Sequence, residues 1–400
     1  MRVLYFSPRT CWPLTTGARL RDYHLAHQLS KLGGDVLYAA MQLPGVAAES
    51  LPEDAGFRQI CLTREKGYSI GKLIGGVTGP VPVTVRNFTS IQARQELQKL
   101  LGEWKPDIVQ IEGVHLVEYV STIRSAAPGA AIVSDWHNVE SELMWRYAET
   151  TSSMPKRLMA RRTAALIERS ENKLLDHCDA HTVVSDRERE KLLKRRADAR
   201  VSVVPNGVDV NFYRSGTSRC ASARNLLFVG SMDYHANIDA MDWFVKHVWP
   251  SVRQQHPDLR VQIVGRDPVD DIKNLASADV EVTGTVADVR PFYSDALAVI
   301  VPLRVGGGTR LKILEAMAAG IPVVSSSLGA EGLQVIDGIH VLIADAPSAW
   351  GTQIERLRSD ERLSSRLITE GGALVDNFYD WSAAAKSLEE VHRSCREALR

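Results

Sequence analysis

The chain reads as an α/β protein built from two successive doubly wound parallel-sheet units. Three observations predict this. Short apolar runs alternate with amphipathic stretches along all 400 residues, the rhythm of repeated βα units. The rhythm restarts at residue 226 with a fresh apolar run, LLFV. The length, with 44% hydrophobic residues, suffices for two domains of ~100–200 residues each.

The elements follow in order. Residues 3–6 (VLYF) form a buried first strand. A loop bearing Pro8, Pro13 and Gly17 leads to a helix over 18–32, stopped by Gly33-Gly34. Strands are predicted at 36–41, 108–111, 131–134 and 181–184, with long helices at 91–104 and 156–175 between them. After the restart at 226–229 come Gly230-Ser231 and a helix over about 237–248. Further strands are predicted at 261–264, 280–282, 298–301, 322–325 and 341–343. The segment VVPNGVD, 203–209, has the turn chemistry of a junction through Pro205 and Gly207. The tail 377–400 reads as one helix. The expected division is 1–204, 205–376, and a terminal helix 377–400 that packs back on the first domain.

Charge narrows the function. Lys+Arg and Asp+Glu both number 48, so the formal charge is zero. Nucleic-acid binders are usually basic, and none is expected as a partner. Cys11, Cys61, Cys178, Cys220 and Cys395 are scattered without a CxxC pair, which fits a reducing compartment rather than a zinc site. The opening apolar run is too short for a signal-peptide core, and no stretch approaches ~20 apolar residues. The expected location is cytoplasmic, with the inner face of the membrane open to it.

The chemistry concentrates in VPLRVGGGTRLKILEAMAAGIPVV, 301–324. A buried strand ends in Gly306, Gly307 and Gly308, and a helix is expected to start near Thr309. Free amides at a helix start, with the macrodipole, favour an anion, and glycine lets backbone approach it closely. Thr309 can cap the helix. Arg310 and Lys312 place positive charge in its first turn, where each opposes the dipole by ~0.3–1 kcal/mol. Cations placed where they cost stability point to a compensating anion. Glu315 lies where it can grip a pair of ribose hydroxyls.

GGGTRLKILEAMAAGIPVVSSSLGAEGL resembles the donor-site signature of glycosyltransferase family 4, the retaining enzymes of the GT-B fold. VVPNGVD resembles the interdomain segment of that family. LLFVGSMDYHANIDAMDWF resembles its second-domain opening, and VTGTVADVRPFYSDALAVIVPL the stretch before its donor loop. The resemblance covers most of the chain and is strongest over 201–335. It implies two Rossmann-like doubly wound domains facing a central cleft. It also implies transfer of a sugar from a nucleoside-diphosphate sugar, UDP or GDP, to a glycan or lipid-linked acceptor, as in exopolysaccharide or lipopolysaccharide assembly.

The resemblance also implies roles. Glu315 matches the second of two family glutamates, the one that holds the ribose. The first falls at Gly307, so the sugar contacts differ here, and the amides of Gly307–Thr309 stand in for it. The diphosphate-binding Arg and Lys of the family fall at Ser231, next to Gly230, and at Asn237. Arg310 and Lys312 are the expected substitutes. Val286 matches a position whose backbone meets the base. Gly17 fits the family loop that approaches donor phosphate and acceptor. Arg19 and Arg21 read as helix-surface charges.

Two candidates belong to the chemical step. His137, in DWHNVE after the strand 131–134, matches a family His and can hydrogen-bond the sugar or a phosphate. Glu112, in QIEGVH, stands near a family His position, with His115 three residues on. Glu112 can orient an acceptor hydroxyl or stabilise positive charge. The transition state is oxocarbenium-like with a departing nucleoside diphosphate, and preorganised cations and amides would stabilise the leaving group. No metal and no separate cofactor are expected; Asp270-Asp271 does not form a DxD pair.

The segment 156–175 carries Lys156, Arg157, Arg161, Arg162 and Arg169, with Met159, Thr163, Leu166, Ile167, Ser170 and Leu174 on the other face. Such a helix can sit on an anionic membrane, although Glu168 and Glu171 dilute its charge. A dinucleotide-dependent oxidoreductase is a rival, but neither first-strand loop contains GxGxxG. A GT-B sugar-nucleotide epimerase and a catalytically silent sugar-nucleotide binder remain as alternatives.

Overall fold

The computed structural model describes residues 1–46, 49–65, 79–151, 153–218, 220, 222–305 and 310–399. The chain divides into two compact units. The first is Met1–Pro205 with Trp381–Arg400, and the second is Asn206–Asp380.

The first unit holds a parallel sheet of β1 (Arg2–Ser7), β2 (Asp35–Gln42), β3 (Arg58–Thr63), β4 (Ile108–Glu112), β5 (Ala131–Trp136), β6 (Ala180–Val183) and β7 (Val201–Val203). Their order is β3-β2-β1-β4-β5-β6-β7. Strands buried on both faces read as continuous apolar runs. In β1, Leu4 and Phe6 enter one core, and Val3 and Tyr5 the other. The second core is completed by Trp381, Ala384, Ala385 and Leu388 of the last helix, Trp381–Ala398.

The second unit repeats the plan with β8 (Asn225–Val229), β9 (Arg260–Val264), β10 (Val280–Gly284), β11 (Ala296–Val301), β12 (Val323–Ser325) and β13 (Leu342–Ile343). Their order is β10-β9-β8-β11-β12-β13. Each sheet therefore reverses direction once, between β1 and β4 and between β8 and β11. Ligands of such sheets bind outside the carboxyl ends of the strands at these switch points.

Several expectations are corrected. β3 and β7 were not anticipated. β3 is an edge strand whose sequence, RQICLT, is mostly part-exposed, and β7 is three residues long beside the junction. The tail is not one helix. Its first residues continue the helix Glu361–Leu374 as a wide turn, Val375–Tyr379, and Asp380 is extended (φ −72°, ψ 140°). The last helix begins at Trp381. The helix expected over 237–248 is His235–Trp243 followed by a wide turn, Phe244–Val248; Pro250 just beyond has no N–H to give the ladder.

One close approach shapes the second unit. β8 and β9 run in register with Val229 opposite Val264, so Gly230 and Gly265 follow side by side. A Cβ on Gly265 would lie 1.6 Å from the Gly230 carbonyl oxygen. We expect Gly265→Ala to destabilise the second unit by ~2–4 kcal/mol, because backbone must move. Gly372 lies in the helix Glu361–Leu374 with open space at its Cβ. Gly372→Ala should instead stabilise the unit by about 1 kcal/mol. Urea unfolding of the two variants checks both signs.

Candidate active site

In the first unit the polar residues gather at the switch point. Glu112 ends β4 and pairs in register with Asp135 of β5, which puts two carboxyl groups on adjacent strand ends. Asp135 lies within the strand, not in the loop after it. His137 follows two residues later. Its Nε2 lies 2.9 Å from Glu112 Oε2, 3.3 Å from Asp22 Oδ1 and 3.3 Å from Asp135 Oδ2. Asp22 comes from the helix Gly17–Lys31 and also accepts from Tyr38 OH at 2.7 Å and Ser7 Oγ at 3.2 Å.

Arg21 on the same helix is no surface charge. It is 1% exposed, and its Nε and Nη2 each donate to Asp135 at 2.7 Å. A fork-to-fork pair of this kind is what makes a buried guanidinium tolerable. The helix reaches inward here because the sheet end offers a carboxylate in place of apolar contacts.

These contacts decide the protonation states. Burial would raise the Asp135 pKa, but Arg21 outweighs it and holds the group well below the carboxylate range. Burial alone would lower the His137 pKa; its bonds to Asp135, Asp22 and Glu112 outweigh that and keep the ring an imidazolium. Glu112 is pushed up to about 8 by burial and by the charges of Asp22 and Asp135, against the pull of His137. At neutral pH it therefore keeps its proton. Glu112 accepts from Gln110 Nε2 at 2.8 Å, and Gln110 in turn meets His392 Nε2 of the last helix at 2.8 Å. Asp22, Glu112 and His137 each offer an atom within 4.8 Å of one another, a spacing that could hold a metal ion. An imidazolium does not ligate a cation, so such binding requires loss of its proton. His115 lies apart, half-buried against the Phe88 ring, with its pKa lowered to about 4 by desolvation. Gly17 is exposed and opens the helix after its Thr16 cap.

In the second unit the site lies at the ends of β8, β9 and β11. Gly306, Gly307, Gly308 and Thr309 lie outside the described residues. The helix after them begins at Leu311, and Arg310, not Thr309, occupies its cap position without a side-chain cap bond. Arg310 is buried and donates to the Leu328 carbonyl at 3.0 Å. Lys312 points back toward β8. Its Nζ is 2.9 Å from Asn237 Oδ1 and sits 3.9 Å from the Phe228 ring centroid. A cation over an aromatic face is attracted by the ring quadrupole. Burial pulls the Lys312 pKa down to about 7, against the field of Glu315 and with Arg310 adding to the fall. Its charge is thus conditional, not fixed. Glu315 accepts from Tyr293 OH at 3.2 Å. Burial raises its pKa against the Tyr213 and Tyr293 hydroxyls and Lys312.

Asn237 Nδ2 donates to Ser231 O at 2.9 Å, and Arg266 Nε donates to Ser231 Oγ at 3.1 Å. Arg266 was not singled out from the sequence; the only local signal was Gly265 before it. Val286 follows Gly284 of β10 (φ +73°), with its side chain against the core.

The charged cluster makes a prediction about stability. A carboxyl whose folded pKa is raised contributes stability that is full below its unfolded value and lost as pH rises through the folded one. For Glu112 that window runs from the ordinary 4.5 to about 8. The first unit should lose stability across it, and Glu112→Gln should reduce that slope. His137, also raised, adds loss of the same sign above its ordinary 6.5. Urea unfolding at pH steps through the window tests this.

Two family models match the chain. The family model "Glycosyltransferase Family 4" matches residues 17–212, and "Glycosyl transferases group 1" matches 223–360. Phosphatidyl-myo-inositol mannosyltransferase of Mycobacterium tuberculosis is 28% identical over 205 residues, 48% of this chain and 53% of that protein. D-inositol 3-phosphate glycosyltransferase of Corynebacterium aurimucosum is 28% identical over 253 residues, 56% of this chain and 58% of that protein. The matched stretch thus spans little more than half the length of these curated relatives. Sucrose-phosphate synthase from Thermosynechococcus elongatus superposes with a TM-score of 0.71 at 17% identity, covering 100% of both chains. HepE of Anabaena, solved in complex with UDP, superposes with 0.67 at 17% identity, covering 98% and 100%. With two parallel-sheet Rossmann-like units and a family match in each, the chain belongs to glycosyltransferase family 4.

Proposed function

We propose that the chain transfers a sugar from a nucleoside-diphosphate sugar, UDP or GDP based, to a hydroxyl of a glycan or lipid-linked acceptor. The observation that carries this reading is Lys312. It is drawn from solvent at a strand-end glycine and forms no ion pair among the described residues. A lysine in that setting gives up its proton readily, and an adjacent diphosphate is the group that restores its charge. The names of the two relatives, a mannosyltransferase and a glycosyltransferase, support sugar transfer. The UDP complex of HepE supports a nucleotide donor.

In this reading the bond from the anomeric carbon to the diphosphate breaks, and one to the acceptor oxygen forms with retention. Arg310 and Lys312, at the start of the helix Leu311–Ala318, meet the leaving group, and the amides of Gly306, Gly307, Gly308 and Thr309 are assigned to the same phosphates. Gly230 and Ser231 shape the floor, Val286 meets the base, and Glu315 takes the ribose hydroxyls. His137 acts as a cationic donor to the sugar through Nδ1, since Nε2 is occupied by carboxyl oxygens. Glu112, protonated at neutral pH, orients and does not act as a base. The cations and amides stabilise the departing charge without a metal ion.

A thermal-shift screen with UDP, GDP and ADP tests the donor step, because a ligand of the native state raises apparent stability. A shift is expected with UDP or GDP, and Glu315→Gln should weaken that nucleotide by roughly 10- to 100-fold, the worth of a charged hydrogen bond. No shift with any nucleotide refutes the reading. Incubation with sugar nucleotide alone separates the alternatives. Epimerised donor indicates an epimerase, and binding without turnover under any acceptor indicates a silent binder.

The lipid-linked acceptor has its own support. No helix among the described residues is long and apolar enough to cross a membrane. The helix Met154–His177, however, exposes Met154 (69%), Leu158 (72%) and Met159 (56%) beside Lys156, Arg157, Arg161 and Arg162. Met159 is on the solvent side and not on the packed face. Glu171 does not dilute the patch, because it is buried on Ser141 and Arg195. Apolar tips ringed by basic residues fit an anionic membrane surface, at ~1 kcal/mol per cation, and with it a cytoplasmic enzyme at the inner face. Vesicles containing an anionic phospholipid should sediment the protein, and neutral vesicles should not. Leu158→Asp with Met159→Asp should abolish the association; unchanged sedimentation of this variant would exclude the patch.

A further inference from the structure

Three side chains of the second unit lie in one hydrogen-bonded line with a fourth. Arg266 Nε donates to Ser231 Oγ at 3.1 Å, Asn237 Nδ2 donates to Ser231 O at 2.9 Å, and Lys312 Nζ donates to Asn237 Oδ1 at 2.9 Å. A cation stands at each end, and neutral amide and hydroxyl groups stand between. The four come from four places in the fold. Ser231 follows β8, Arg266 follows β9, Asn237 is in the first turn of His235–Trp243, and Lys312 is in the first turn of Leu311–Ala318. The glycines make this convergence possible. Gly265 brings the Arg266 loop onto the Gly230 carbonyl, locked by Met232 N to Arg266 O at 2.8 Å. A Cβ on Gly230 would fall 2.8 Å from Asn237 Nδ2 and 3.3 Å from Lys312 Nζ.

We propose that Arg266 and Lys312, held through Ser231 and Asn237, are the paired cations that bind the donor diphosphate, and that Lys312 takes up a proton when it binds. The inference rests on the donor reading above and adds Arg266, which that reading does not use. Arg266 is half-exposed, lies 4.0 Å from Asp267, feels the charge of exposed Asp233, and makes its side-chain bond to a neutral hydroxyl. Ser231 Oγ donates to exposed Asp233 at 2.5 Å, which turns its lone pairs toward Arg266. Two cations joined by neutral groups present separated positive charge, which matches two linked phosphates better than one carboxylate. Arginine supplies a fixed fork and lysine a point charge.

The proton follows from the surroundings of Lys312. Asn237 and Phe228, which touch its ammonium from other elements, carry no charge. On its own helix Glu315 favours the charged form and Arg310 opposes it. Arg304 and Asp239 nearby are paired with each other. With its pKa at about 7, the free side chain is largely neutral a unit above that. An adjacent diphosphate favours the charged form, so binding draws in a proton. Affinity should then fall as pH rises from about 7 to about 9, by up to ~10-fold per unit.

The test is calorimetry of the full chain with UDP, GDP and their nucleosides, run in buffers of different ionisation enthalpy. The wild type should take up between zero and one proton per nucleotide near pH 8, and none with the nucleoside. Arg266→Ala should weaken the diphosphate by ~10-fold or more, with unchanged nucleoside affinity, which also shows that the fold is intact. Lys312→Arg should retain affinity near neutrality, bind without proton uptake, and flatten the pH profile. If UDP and GDP both fail to bind the wild type, the donor reading itself falls. If a diphosphate binds and Arg266→Ala leaves its affinity unchanged, or Lys312→Arg keeps the wild-type proton uptake, this inference falls and the donor reading stands.

Discussion

Carrying a guanidinium into a sheet core costs several kcal/mol unless a carboxylate meets it. Arg21 meets Asp135 through two 2.7 Å bonds, and the polar centre of the first unit depends on that pair. With its charge answered by Arg21, Asp135 can also lie near His137. The imidazolium in turn lets Asp22 and Glu112 approach from two other elements. Without Arg21, three carboxyl groups would converge on one cation. The proton that Glu112 retains removes the last excess of negative charge. Its bond to Gln110, and through it to His392, ties the terminal helix into the same account.

The second unit has the reverse imbalance. Lys312 approaches Arg310 on its own helix start, opposed by Glu315 alone among the carboxylates that act on it. Where the first unit answers surplus acid by keeping a proton, the second answers surplus base by letting one go. That answer is cheap in the free protein and leaves a place for an anion. The glycines at 230 and 265 belong to the same logic. They bring two loops to van der Waals contact, which sets Arg266 beside Ser231.

Much of the fold was legible. Runs such as VLYF and LLFV are buried on both faces, and no competing pattern disguises them. β3 was missed because an edge strand is only partly buried and its sequence carries no clean period. The sites were legible in part. Glu112 and His137 stand on short stretches that announce a strand end, and the structure joins them at 2.9 Å. Their partners Arg21 and Asp22 come from a helix about a hundred residues away, and nothing local marks an arginine as inward. Arg266 was silent for the same reason: its meaning comes from Ser231, on the neighbouring strand end. Sequence periodicity reports which face of an element is buried. It does not report which distant charge waits there.

The two protonation adjustments have a common consequence. Glu112 loses a proton at about 8 and Lys312 at about 7. Raising pH through that range therefore changes the charge of each unit in the same direction, by one negative step. The effects are not interchangeable. Glu112 is enclosed by Gln110 and His137 and reports through the stability of its own unit, because burial and the charges of Asp22 and Asp135 disfavour its ionised form in the fold relative to water. Lys312 is joined only to neutral groups, so its charge is available to a ligand and reports through affinity. A buried group surrounded by its own kind of partners tunes the fold, and one surrounded by uncharged partners is left to tune binding.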